Sequence, residues 1–217
     1  NVEPTRAQRG VARRTAEAKA TIPEHTLSAE VDLEAWATTG SRDAGPDLED
    51  LIIKACALAL REVPRANASY RDAGFELYSR VNVGFVVATQ DALVVPTVFD
   101  ADRRTLAEIA AERRALTERA QAGTLSPADV SGATFTVANR GGRGASAATA
   151  VIQGGQAAIL AFGAAIPRAV VRDGAVVART TATVTLTADH RILYGDDAER
   201  FLARVSELLA QPARLEA

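Results

Sequence analysis

The run Val81-Asn82-Val83-Gly84-Phe85-Val86-Val87-Ala88-Thr89 is followed, after Gln90-Asp91-Ala92, by Leu93-Val94-Val95-Pro96-Thr97-Val98. Both runs are rich in β-branched residues, and the short link between them makes a hairpin-like connection. Working outward, 134–137, 156–162 and 176–186 are further strand-like runs. Residues 25–33 alternate, with Leu27, Ala29, Val31 and Leu33 on one face and Ser28, Glu30 and Asp32 on the other. That alternation is the mark of a half-buried strand.

Between these runs lie helical patterns. Residues 6–20 are charged and alanine-rich, broken only by Gly10 and followed by Pro23, which suits a helix and its end. Residues 47–62 form a strongly apolar helix stopped by Pro64. From 105 to 122, Leu106, Ile109, Ala110 and Leu116 recur at helical spacing before a capping Gly123. The last helix, 197–210, gathers Phe201, Leu202, Val205, Leu208 and Leu209 on one side. Ser126-Pro127-Ala128-Asp129 starts a single helical turn, and 38–46, with Gly40, Ser41, Gly45 and Pro46, is a loop. Hairpins interrupt any strict βαβ alternation. The expected fold is therefore α/β (α+β), a mixed β-sheet flanked by helices, in one domain over 1–217.

The 217 residues are 47% hydrophobic and 24% charged, with a formal net charge of −2. This composition supports a globular core and gives no basic footprint for nucleic acid or an anionic membrane. No apolar run reaches the roughly 18 residues of a membrane span, and no signal-peptide pattern opens the chain. The single cysteine, Cys56, lies in an apolar helical run, where it reads as a buried structural thiol and fits a reducing cytoplasm. The chain has no methionine, even at position 1, which points to a trimmed or processed fragment and leaves room for upstream domains.

Two histidines are present, His25 and His190. His190 follows a strand in Thr187-Ala188-Asp189-His190-Arg191-Ile192-Leu193-Tyr194-Gly195-Asp196-Asp197. Its position at a strand end among charges suits general-base work near neutral pH, as it does a solvated loop histidine. There is no metal-ligand cluster, no Cys/His pair at helical spacing and no P-loop. Asn139-Arg140-Gly141-Gly142-Arg143-Gly144 lacks the Lys-Ser/Thr ending of a phosphate loop. It is either a flexible loop or a glycine turn that lets a substrate pass close to the backbone.

In order along the chain, several segments resemble the catalytic domain of the dihydrolipoamide acyltransferases of 2-oxoacid dehydrogenase complexes. They are Gly10-Val11-Ala12-Arg13-Arg14, Ile22-Pro23, Ile52-Ile53-Lys54-Ala55, Asn67-Ala68-Ser69-Tyr70, Val83-Gly84-Phe85-Val86-Val87-Ala88-Thr89, Thr134-Phe135-Thr136-Val137, Gln156-Ala157-Ala158-Ile159-Leu160 and Asp189-His190-Arg191. The resemblance implies a chloramphenicol-acetyltransferase-like fold and a homotrimer with active sites between subunits. It makes His190 the base that takes a proton from a thiol or hydroxyl attacking a thioester, with coenzyme A as acyl carrier. Ala138, Asn139, Arg140, Gly141 and Tyr194 would then line the substrate channel.

The chain also departs from the family pattern. Ala138 stands where the family usually has serine, so an oxyanion donor is missing unless a strand threonine, Thr136 or Thr134, substitutes. Tyr194 replaces the usual aspartate after the histidine, and Asp196 or Asp197 either supplies that charge or caps the last helix. Arg140 and Arg143 either hold an anionic acceptor or coenzyme A phosphates, or are solvated. Gly154-Gly155 replaces a usual Pro-Pro, and Pro23-Glu24-His25-Thr26 departs from a usual Pro-His-aromatic segment.

These changes favour a stand-alone acetyltransferase that moves a short acyl group from coenzyme A to a small-molecule hydroxyl, as tetronate acetyltransferases do. The alternatives are a complex core passing acyl groups between lipoamide and coenzyme A, and a non-catalytic trimeric scaffold.

Overall fold

The computed structural model describes residues 2–38, 45–90 and 92–216. The helices are α1 (Arg6–Thr21), α2 (Glu34–Thr38), α3 (Leu48–Glu62), α4 (Leu106–Gln121) and α5 (Asp196–Ala210). Strands β1 to β4 are Glu24–Asp32, Ala68–Arg71, Gly74–Leu77 and Val83–Phe85. Next come β5 (Val87–Ala88), β6 (Leu93–Val94), β7 (Thr97–Val98) and β8 (Phe135–Asn139). The last three are β9 (Ala158–Phe162), β10 (Ile166–Arg172) and β11 (Ala175–Asp189).

Helix starts are locally encoded. Thr5 with Gln8, Asp47 with Asp50 and Thr105 with Glu108 each form a capping box that satisfies otherwise orphaned N–H groups. Gly123, at φ 68°, takes the left-handed conformation after α4.

The main sheet runs β1-β11-β9-β8-β4-β7, with β10 also paired to β11. β8 is parallel to both β4 and β9, whereas β1–β11, β11–β9 and β4–β7 are antiparallel. The expected mixed sheet is therefore present. One face, carrying Val31, Phe135, Val137, Leu160, Phe162, Val184 and Leu186, joins residues of α3 and α5 in the main core. Alternation along β8 and β9 turns Ala138, Ile159 and Ala161 to the other face, where Ala150 and Ile152 complete a smaller cluster. Lys54 is buried in α3, but its ammonium donates to the carbonyls of Asp102 and Arg104 at 3.2 and 2.6 Å. Those bonds offset the burial of its charge.

Several expected elements need revision. The runs 81–89 and 93–98 do form a hairpin, but each splits in two. Val86 N–H turns away to the carbonyl of Val137 at 3.0 Å, and Pro96 has no N–H to continue a ladder. Hence β4–β7 stays in the main sheet while β5–β6 is a separate ribbon. Residues 126–129 make a turn held by the Asp129 carboxylate on Ser126, without continuing into a helix. Thr38 ends α2; of the loop expected over 38–46, residues 39–44 lie outside the described residues, as does Asp91 in the hairpin link.

Two hairpins, β2–β3 and β10–β11, were not expected. Each turns on two left-handed residues: Asp72 (φ 47°) and Ala73 (φ 62°), and Asp173 (φ 50°) and Gly174 (φ 79°). Such turns match the twist of the strands they join. Only the second has glycine where a Cβ is disfavoured. Ala73→Gly is expected to stabilise the chain by a few tenths to about 1 kcal/mol, since relief of left-handed strain exceeds the added unfolded-state entropy. Chemical denaturation checks this, and a lower midpoint for Ala73→Gly would refute it.

Candidate active site

His190 begins where β11 ends. Its backbone N–H donates to the Pro23 carbonyl at 3.0 Å, one step past the β1–β11 ladder, and its side chain is exposed. The chain then closes a tight turn, with Ile192 and Leu193 N–H groups both on the Asp189 carbonyl at 3.0 and 2.9 Å. The buried Asp189 carboxylate grips Arg191 through its backbone N–H (3.0 Å), Nε (2.9 Å) and Nη2 (2.7 Å). The Arg191 guanidinium in turn lies 4.1 Å from the ring centre of Tyr70 on β2. Charge-assisted, bidentate bonds of this kind fix geometry well, so His190 projects from a braced turn.

Next along this edge is Tyr194. Arg65 donates to its hydroxyl at 2.7 Å and to Asp197 at 3.2 Å. The same guanidinium lies 4.5 Å from the Tyr194 ring centre and 4.8 Å from that of Phe75. Neither Asp196 nor Asp197 caps α5: Gly195 occupies the N-cap position, without a side-chain bond. Both aspartates lie in the first turn and pair with Arg200, Asp197 also with Arg65. Asp197 is thus already paired and does not act as a free carboxylate beside His190.

The other expected site residues lie on and after β8. Ala138 is fully buried in the smaller apolar cluster. Thr136 does share its face, as alternation requires, but is buried too, and its hydroxyl donates to Gln156 Oε1 at 2.8 Å. Gln156 then donates to the Ala133 carbonyl at 3.1 Å. Thr134 is likewise committed, donating to the Asn82 carbonyl at 3.2 Å. Asn139 is exposed and accepts the Gly141 N–H at 3.0 Å. Arg140 is half-buried and Arg143 exposed. A Cβ on Gly141 would lie 2.5 Å from the Ala164 nitrogen, and one on Gly163 only 2.1 Å from the Ser146 carbonyl oxygen. Gly141 therefore serves a close backbone crossing, whereas a Cβ on Gly142 or Gly144 would meet nothing within 4 Å.

Strand register separates the two groups of residues. His190 is level with Gln156, beyond the start of β8, whereas Asn139 ends β8. Six residue steps at about 3.3 Å place them on the order of 20 Å apart along the sheet. Within one chain the structure joins His190 to His25, Asp189, Arg191 and Tyr194, and separately joins Thr136, Ala138, Asn139, Arg140 and Gly141. It does not bring the two groups together.

The family model described as 2-oxoacid dehydrogenases acyltransferase (catalytic domain) matches residues 1–217. The chain belongs to this family. As a 2-oxoacid dehydrogenase acyltransferase domain, it is 32% identical over 212 residues to a dihydrolipoyllysine-residue acetyltransferase component of a pyruvate dehydrogenase complex from Rickettsia bellii. That match covers 94% of this chain and 51% of the relative. A dihydrolipoyllysine-residue succinyltransferase component of a 2-oxoglutarate dehydrogenase complex from Bartonella vinsonii is 36% identical, over 99% of this chain and 54% of that protein. The acyltransferase domain thus spans about half the length of these curated relatives. The cubic core of a pyruvate dehydrogenase multienzyme complex superposes with TM-score 0.92 at 28% identity, over 99% of this chain and 93% of that one. A chloramphenicol acetyltransferase, at 15% identity, TM-score 0.56 and coverage of 91% and 94%, shares the fold.

Sequence reasoning did not identify Arg65, Tyr70 or Glu49 as neighbours of this domain's candidate site. Glu49 lies in the first turn of α3, yet it is mostly buried. It shares Arg113 of α4 with Asp47 and the fully buried Asp50. Burial pushes the Glu49 carboxyl up to about 7, against the opposing pull of Arg113, while the Asn139 amide lowers it again by less. The folded chain consequently binds a proton on Glu49 that the unfolded chain releases, between its ordinary 4.5 and about 7. Stability from this group is complete below that window and lost as pH rises through it. Glu49→Gln, which keeps the neutral form, is expected to stabilise the protein by roughly 1–3 kcal/mol at pH 8 and by much less at pH 4. Thermal unfolding at both pH values tests the point, and an equal shift at the two would contradict it.

Proposed function

We propose that this domain transfers acyl groups between the thiol of dihydrolipoamide and coenzyme A, with His190 as general base. The family match over 1–217 is the observation that carries this reading, and the braced, exposed His190 supports it. In the direction of acyl-coenzyme A synthesis, His190 takes the proton from the coenzyme A thiol. The thiolate attacks the acyl-dihydrolipoamide carbonyl, a tetrahedral oxyanion forms, and its collapse expels the dihydrolipoamide sulfur, which regains the proton from His190. A positioned base of this kind contributes about a hundredfold or more in rate.

The working form we infer is a homotrimer in which His190 of one copy faces the segment 138–141 of another. Two features support it: the two groups lie at opposite ends of the sheet in one chain, and α1 buries only Ala18. An isolated helix of that length is marginal in water, so a neighbour covering it would stabilise it. Arg140 and Arg143, beside Asn139, are the candidates for the phosphates of coenzyme A. The oxyanion role we do not assign to Thr136, because it is buried and its hydrogen is given to Gln156. It acts instead by holding Gln156.

A second reading, transfer from acetyl-coenzyme A to a small-molecule hydroxyl, is favoured by Ala138 alone, since that side chain cannot supply the family's hydroxyl donor. The two readings separate in one assay, the chromatographic appearance of free coenzyme A from acetyl-coenzyme A with dihydrolipoamide or a panel of alcohols. Turnover with dihydrolipoamide is expected to fall at least about a hundredfold in His190→Ala. Turnover with an alcohol and none with dihydrolipoamide would sink the first reading; full activity in His190→Ala would sink both.

A further inference from the structure

We propose that His25 is a positioning residue for His190, an inference that rests on His190 being the base. The ladder pairs His25 with Ala188, and Pro23 accepts from His190, so the two histidines are diagonal neighbours on one sheet face. Their ring centres are 4.7 Å apart at an interplanar angle of 77°. In this edge-to-face arrangement the positive rim of one ring meets the negative face of the other, an attraction with a definite angle rather than mere contact.

His25 is itself held. Its Nε2 lies 3.0 Å from the Leu193 carbonyl oxygen, and a carbonyl can only accept, so Nε2 carries the hydrogen. Leu193 N–H returns to the Asp189 carbonyl at 2.9 Å. The ring that flanks His190 is thereby tied to the far end of the turn that presents His190. The imidazole is confined on the β1 side by a ring fixed to its own turn, so swinging away from its working orientation costs the ring contact. His25 reaches no reacting atom on this view; it acts through the orientation of His190.

The chain contains only two histidines, so a variant lacking His25 shows imidazole proton signals from His190 alone. Three variants divide the possibilities: His25→Ala removes ring and donor, His25→Phe keeps a ring, and His25→Gln keeps a donor. We expect His25→Ala and His25→Gln each to lower kcat with dihydrolipoamide and acetyl-coenzyme A about tenfold, with both KM values within about twofold. His25→Phe should stay within about threefold of the parent, and the His190 ring signals should move in the Ala and Gln variants. Should His25→Ala fail to fold, the Phe and Gln pair still decides. A Gln variant with parental kcat, a Phe variant as slow as Gln, a change confined to KM, or unmoved His190 signals would each overturn the proposal. His190→Ala in the same assay separates the failures, because unchanged turnover there removes the base and leaves His25 nothing to position.

Discussion

Leu186 and Val184 face the main core only while β11 keeps its register against β1 and β9, and this one pairing governs most of the molecule. β11 is hydrogen-bonded to three strands, since β1 and β9 flank its C-terminal half and β10 pairs with its N-terminal half. A slip of one residue would turn Leu186 and Val184 out of the core and Thr185 and Thr187 into it. The same slip would send His190 to the opposite face of the sheet, away from His25. The packing that stabilises the fold is therefore also what aims the candidate base. Asp189, the last residue of the strand, carries that alignment into the turn through its grip on Arg191.

How much of this was legible in the sequence depended on whether the cause was local. Capping residues and alternation act over a few positions, and α1, α3, α4, α5 and β1 end close to where those signals put them. The β10–β11 hairpin also had a local signal, Asp173-Gly174 between valine-rich runs, but Pro167, Arg168 and Arg172 obscured the alternation of β10. β2–β3 gave less: its turn has Ala73 where glycine is usual, and β3 is exposed throughout, so no burial pattern marks it. His190 stood out by its strand-end setting and its motif. The residues around its turn did not, because Arg65 meets Tyr194, Tyr70 meets Arg191 and His25 meets His190 only once the chain has folded back on itself.

The fate of Thr136 separates geometry from chemistry. Period-two alternation correctly put Thr136 and Ala138 on one face, and a hydroxyl there looked like a substitute for a missing serine. What alternation cannot reveal is that Gln156, twenty positions later, takes the hydroxyl's hydrogen. A donor already satisfied in a buried site must break a hydrogen bond before it can serve an oxyanion, and that penalty offsets the gain. Charge beneath Asn139 was hidden for the same reason: Arg113 is far from α3 in sequence, and only the docking of α4 gathers three carboxylates around it.

These separations bear on the homotrimer proposed for the working form. The candidate base at one end of the sheet and the candidate channel segment 138–141 at the other are held rigidly by the same strands, so no ordinary side-chain motion closes a gap of about 20 Å. Bending the sheet to do so would break the β11 register and the core with it. Two rigid copies offer an alternative without strain, because each can present its His190 edge to the β8 end of a neighbour. On this argument the long-range order of the sheet, which keeps the candidate catalytic groups apart within a chain, is the feature that allows precise placement between chains. Braced turns and tied rings then set the last fraction of an ångström, which is the role argued for His25.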